Sequence, residues 1–220
     1  MLSIRAIDLL KEAVMRIGLI GMSGAGKTTL AQRLATEGYA HIDCDRLIAQ
    51  QLEATLQQSL PTFHSLGAWL DMPYTPGFAE REAQFMAYET EVMRSISQQL
   101  DQTDTEDLVV DMGGSSIYIE PAVLERLCQQ LTIVYLAVSP QAHQAMLDEY
   151  LQRPRPIVWN GMYQRQPGET EIDALARCFP KLIATREQRY QALADYTIDY
   201  HQTYAHQPLH VFFNLIQGTA

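Results

Sequence analysis

Apolar positions along the chain fall into two alternating patterns. Short runs occur at 15–20 (MRIGLI), 108–112 (LVVDM) and 131–138 (LTIVYLAV), with weaker ones at 39–43 (YAHID) and 196–199 (YTID). Runs with little polar alternation predict strands buried on both faces. Between them lie stretches with helical spacing: 28–38, closed by Gly38, then Asp45 to about Gln58, 78–100, 121–130, 140–151 and 170–194. The stretch FAEREAQFMAYETEVMRSISQQL (78–100) has neither Gly nor Pro and predicts one long amphipathic helix. Strands that alternate with helices predict an α/β fold whose parallel sheet is covered on both faces, with ligands at the carboxyl ends of the strands. Two segments break the pattern, 59–77 and 152–169, both rich in Pro and Gly and predicted to be irregular. Ahead of the first strand, Leu2, Ile4, Ile7, Leu10 and Val14 form a loose helical stripe, so residues 1–14 are expected to be a helical extension to a domain spanning 15–220.

Composition narrows the classes of function. The 220 residues include 26 acids against 16 Lys and Arg, a formal charge of -10, which argues against a broad nucleic-acid-binding face. No apolar run approaches the roughly 20 residues that span a bilayer, and the N-terminus lacks the uninterrupted apolar stretch of a secretory signal. A cytoplasmic protein is expected, without membrane or nucleic-acid partners, as a monomer or weak homodimer. Cys44, Cys128 and Cys178 are scattered and suit buried free thiols rather than a disulfide framework or zinc site. Lysine is scarce: only Lys11, Lys27 and Lys181.

One of those lysines sits in the most specific motif of the chain. GMSGAGKT (21–28) matches G-x-x-x-x-G-K-[ST] through Gly21, Gly26, Lys27 and Thr28, between an apolar strand and a helix, the context that marks a P-loop. The loop, with Gly24 and Ala25 inside it, can curl so that successive N–H groups point inward at the positive end of a helix. A nucleoside triphosphate is the expected ligand, with Mg²⁺. Lys27 would bridge the β- and γ-phosphates, the Thr28 hydroxyl would hold the metal, and Thr29 would pack or cap beside it.

Weaker candidates surround this motif. Asp111 ends the run LVVD, where a Walker B acid would order metal-bound water, or where a solvated strand-end acid would simply sit. Asp43 and Asp45 flank Cys44, and residues i and i+2 leaving a strand point the same way, toward the phosphates; alternatively Asp45 caps the next helix. Gly113 and Gly114 permit a close backbone approach, or form a tight turn.

The order of GMSGAGKT, HIDCD, MGGSS and REQRYQALAD resembles that of shikimate kinases across most of residues 15–200. The resemblance implies a P-loop kinase with a parallel sheet of order 2-3-1-4-5, a helical acceptor-binding region (46–100) and a mobile lid (152–169). It implies ATP and Mg²⁺ as cofactors and a small-molecule hydroxyl as acceptor. On it, Asp45 takes the acceptor's proton, while Asp43, Thr28 and Asp111 serve the metal. Gly113 and Gly114 hold the acceptor, with Ser115 where the family has a third glycine. Arg186, in an Arg-x-x-x-Tyr pattern with Tyr190, contacts an acceptor carboxylate, unless it lies on a solvated helix face. In the lid, Arg153 binds nucleotide and Arg155 closes over the transferring phosphoryl group.

The chain also departs from the pattern. In QFMAYETEV, Phe85 is followed by Met86, where shikimate kinases place an arginine for the substrate carboxylate. Losing one charged hydrogen bond costs about 1.5–3 kcal/mol, so shikimate itself is an unpromising acceptor. Arg81 and Arg94 could substitute only in a different register. The segment between Asp45 and Phe85 is longer than in the family and carries Trp69, read as core, and Tyr74, suggesting a remodelled pocket. GYAHIDCDRLIAQQL and ATREQR also resemble dephospho-coenzyme A kinases, which stay as an alternative, as does a catalytically weak, nucleotide-binding regulatory module.

Overall fold

The computed structural model describes residues 14–56, 63–102, 106–199 and 207–216. Residues 1–13 of the extension expected over 1–14 therefore lie outside the described residues, as do positions 57 and 58 at the predicted end of the second helix. Five strands, β1 (Arg16–Ile20), β2 (Ala40–Asp43), β3 (Leu108–Asp111), β4 (Thr132–Ala137) and β5 (Tyr196–Asp199), form one sheet in the order β2-β3-β1-β4-β5. All pairings are parallel. The predicted fold class and strand order are thus what the chain adopts.

Helix α1 (Lys27–Thr36) ends where Gly38 stands: the Gly38 and Tyr39 amides donate to Ala35 and Leu34, a Schellman closure. The long helix is α4 (Phe78–Leu100). Helices α5 (Pro121–Gln130), α6 (Pro140–Gln152) and α7 (Glu171–Leu193) fall where their spacing places them, α7 opening with a Thr170–Asp173 capping box. Two helices escaped the pattern. In the stretch read as irregular, α3 (Phe63–Leu70) buries Leu66 and Leu70, one turn apart, between flanking prolines that hide its short periodicity. At the end of the chain, α8 (Leu209–Ile216) buries Phe212 and Ile216.

Strand alternation divides the core. Ile17 and Leu19 face α1 and α8, packing with Leu30, Leu34 and Phe212. Ile20, Val110, Ile133 and Tyr135 face the larger layer that contains α4, α5 and α7. What matters for function is the register: Asp43 pairs with Asp111, and Asp111 with Leu19, so two acids stand side by side where β1 runs into Gly21.

Candidate active site

The P-loop is formed as its sequence demands. Gly21 has φ 144°, and a Cβ there would stand 2.7 Å from the Leu136 carbonyl oxygen, so no side chain fits. Helix α1 starts at Lys27 with Gly26 as its N-cap and no side-chain cap, leaving its first amides aimed into the loop. Lys27 folds back across that loop, its Nζ donating to the carbonyls of Gly21 (3.0 Å) and Met22 (3.1 Å). Burial lowers its pKa, and Asp111 and Asp45 oppose that. The Thr28 hydroxyl donates to Asp111 Oδ2 at 2.6 Å. Asp111 is buried, which raises its pKa, and not the solvated strand-end acid that was one reading of it. Thr28, Asp111 and the adjacent Asp43 are a hard oxygen set beside the phosphate loop, and they fit a magnesium ion. Thr29 is exposed on α1 and neither packs nor caps.

The two acids of HIDCD behave differently from the strand-geometry argument. Strand β2 stops at Asp43 and helix α2 (Cys44–Leu56) begins at once, so Asp45 lies in the first helical turn. Asp43, not Asp45, is the cap: its Oδ1 accepts the Arg46 amide at 3.0 Å. That frees the Asp45 carboxylate to turn inward. Burial raises its pKa to about 6, Lys27 pulling it down and Asp111 and Asp43 pushing it up.

The paired glycines make room for the chain's own charges. A Cβ on Gly113 would meet Glu89 Oε1 at 2.7 Å and Asp45 Oδ1 at 3.1 Å; on Gly114 it would meet Arg186 Nη1 at 3.3 Å. Arg186 is 4% exposed, which excludes the solvated-face reading. Its Nη2 donates to the Val158 carbonyl at 2.6 Å, and it lies over the Tyr118 ring. Tyr190, four residues on, donates to the Gly114 carbonyl at 2.6 Å and holds the glycine turn in place. Among the described residues, no acid forms an ion pair with Arg186 at the bonding distances seen elsewhere in the chain.

A family model described as shikimate kinase matches residues 72–217. The chain belongs to the shikimate kinase family. Its P-loop lies ahead of the matched stretch and is an independent observation. Among solved structures, a shikimate kinase from Acinetobacter baumannii in complex with shikimate is 24% identical, with TM-score 0.61, covering 94% of this chain and 96% of that one. A shikimate kinase from Bacteroides thetaiotaomicron is 21% identical, with TM-score 0.53 over 93% and 96%. A dephospho-CoA kinase from Campylobacter jejuni, 12% identical, reaches TM-score 0.51 over 93% and 98%. No curated protein is matched by sequence. The chain is thus an ATP-dependent small-molecule kinase acting on a hydroxyl group. Among the described residues no helix is long and apolar enough to cross a membrane.

Within this kinase the segment 152–169, expected to be a lid, is irregular past the end of α6, as expected, yet well anchored. Trp159 is 1% exposed, edge-on to Tyr163 and Tyr150. Glu82 on α4 accepts the amides of Trp159 (2.5 Å) and Asn160 (2.9 Å). The two leading arginines of the segment are at the surface: Arg153 ends α6, and Arg155 is exposed, 3.9 Å from Glu149. Arg81 and Arg94 do not replace the cation absent at Met86. Arg81 ties down the Leu70, Thr75 and Pro76 turn, and Arg94 pairs with Glu91 and Glu120. Met86 itself is half-buried against the core, and so is Trp69.

Two acids of the site went unread in the sequence, Glu82 and Glu89. Glu89 carried a signal: it occupies a core position of α4, in spacing with Phe85, Val92, Met93 and Ile96. It is fully buried, and by geometry neither carboxyl oxygen is hydrogen bonded. Burial pushes its pKa up to about 8; the nearby Ser115 hydroxyl and Arg186 lower it, and Asp45 raises it.

Proposed function

We propose that this kinase transfers the γ-phosphoryl group of ATP to a hydroxyl on a small anionic acceptor lying between Asp45 and Arg186 beside Gly113 and Gly114. The observation that carries this reading is Arg186, a buried guanidinium without an acidic ion-pair partner among the described residues, a few ångströms from the glycine turn and close enough to Lys27 to lower its pKa. A buried cation of this kind is poised for a ligand's anion.

Each residue then has a task. Lys27 leaves the Gly21 and Met22 carbonyls for the β- and γ-phosphates, with the amides of the loop from Gly21 through Thr29 around them. Thr28, Asp43 and Asp111 would hold Mg²⁺, which would neutralise phosphate charge when bound. Asp45, ionised above a pH of about 6, accepts the hydroxyl proton as the acceptor oxygen forms its bond to the γ-phosphorus and the bond to the bridging oxygen breaks, releasing ADP. Arg155, and Arg153 beside it, close over the phosphates when nucleotide is present.

Shikimate is a poor acceptor on this reading, because Met86 offers no countercharge. Coupled measurement of ADP release over polyols, cyclitols, hydroxy acids with and without an amino group, shikimate and dephospho-coenzyme A tests the proposal. One acceptor should stand out. A folded, ATP-binding protein that phosphorylates none of them would sink it.

A further inference from the structure

The acceptor side of the site holds one acid that the transfer reading does not use, Glu89. Asp43 and Asp111 stand with Thr28, Lys27 acts on Asp111 and Asp45, and Glu89 is left with Arg186 as the one cation that acts on it among the described residues. Among the described residues Glu89 forms no ion pair. Its neighbours one turn away on α4 are Phe85, Met86, Val92 and Met93, all apolar. The polar groups that face it from other elements are Cys44 and Asp45 on α2, Ser115 after β3, and Arg186 and Tyr190 on α7. Of these only Arg186 is basic, and it donates to the Val158 carbonyl and stands beside Gly114, whereas Glu89 stands beside Gly113.

An unpaired carboxyl inside a protein is costly, and a buried acceptor atom without a donor is rare enough to need a reason. Nothing in the packing requires an acid at position 89, where leucine or methionine would suit the apolar face. Its Oε1 is aimed at the Gly113 position, as is Asp45 Oδ1, so both acids converge on one point beside the proposed acceptor site. Met86, one turn earlier on the same face, is only half-buried, and its unbranched thioether can move aside.

We propose that the acceptor carries a protonated nitrogen near its reactive hydroxyl and that Glu89 binds it, while Arg186 binds the acceptor's anion. The inference rests on the transfer reading above and deepens it: the substrate class is a zwitterionic hydroxy acid. Charge balance supports it, since an ammonium and a carboxylate entering together cancel Glu89 and Arg186 separately. Burial that holds Glu89 protonated in the empty site is relieved when an ammonium supplies the missing positive charge.

Matched probes decide the matter on two chain lengths. The three-carbon set is 3-hydroxypropanoate, glycerate and serine; the four-carbon set is 4-hydroxybutanoate, 2,4-dihydroxybutanoate and homoserine. Each set differs only in what stands at C2: hydrogen, hydroxyl or ammonium. Binding is measured by calorimetry with Mg²⁺ and β,γ-methylene-ATP present, and transfer is measured separately with ATP. The native protein should favour the ammonium-bearing member of at least one set by tenfold or more. Glu89→Gln should erase most of that preference while leaving the nitrogen-free members within about threefold; Glu89→Leu, whose fold is checked by circular dichroism, should do the same. Equal binding across each set, no binding of any ammonium-bearing probe, or a preference that survives both variants overturns the inference. Transfer to the nitrogen-free probes with equal efficiency also overturns it and leaves the transfer reading intact. Selective binding without transfer does the reverse.

Discussion

Glu89→Gln should make the protein less sensitive to alkaline pH. The native carboxyl has its pKa raised from 4.5 to about 8 by burial, whereas in the unfolded chain it titrates near 4.3. Between those values the folded protein holds a proton that the unfolded chain has released. Unfolding then sheds a proton, so stability falls as pH rises, by about 1.4 kcal/mol per unit for this one group. The effect is absent below about pH 4, accumulates through the neutral range and levels off above about pH 8, for a total on the order of 5 kcal/mol. Glutamine has the same shape and no proton to lose. Urea denaturation of native and variant protein at pH 5.5, 7.0 and 8.5 isolates Glu89, because every other group is shared. The difference in unfolding free energy should grow in favour of the variant by about 3–4 kcal/mol across that span. Parallel curves, with a constant offset at all three pH values, would show that Glu89 is solvated or paired in the folded protein, and the argument from its burial would fail.

Four further outcomes are expected. Because Asp45 must be ionised to take a proton and its pKa is raised to about 6, kcat/KM should drop tenfold per unit as pH falls below 6; Asp45→Asn should lower turnover at least 10²-fold with little change in ATP affinity, and a flat profile down to pH 5 would refute its role as base. Lys27→Ala should fold normally and lose nucleotide affinity by calorimetry; unchanged affinity would remove the P-loop assignment. Met86→Arg places a cation three residues before Glu89 on α4 and should improve shikimate affinity by up to about 1.5–3 kcal/mol; kinetic assay of both proteins checks it, and efficient use of shikimate by the native chain would contradict the role given to Met86. Glu82→Ala strips an acceptor from the Trp159 and Asn160 amides, so the lid should loosen, seen as a red-shifted Trp159 emission and faster proteolysis near 160, at a cost of about 1–3 kcal/mol.

Residues adjacent in the chain were legible wherever local geometry decides. Gly21 through Thr28 form their loop because each backbone amide there is placed by its immediate neighbours, so the motif carries its own structure. The same holds for the Gly38 helix end and for the strands, whose order followed from family resemblance and whose burial followed from their apolar runs. Reading Asp43 and Asp45 as a strand pair failed for a local reason, since the helix begins one residue sooner and makes Asp43 the cap. The rest depends on distant partners. Glu89 reads as one acid among several on an amphipathic helix until the fold presses it against Gly113, and the sequence leaves Arg186 open between an acceptor contact and a solvated helix face until α7 buries it against the Val158 carbonyl. Whether a carboxyl or guanidinium is solvated or buried depends on what the rest of the chain brings against it, and that desolvation, which no stretch of local sequence encodes, is what turns these charges into a binding site.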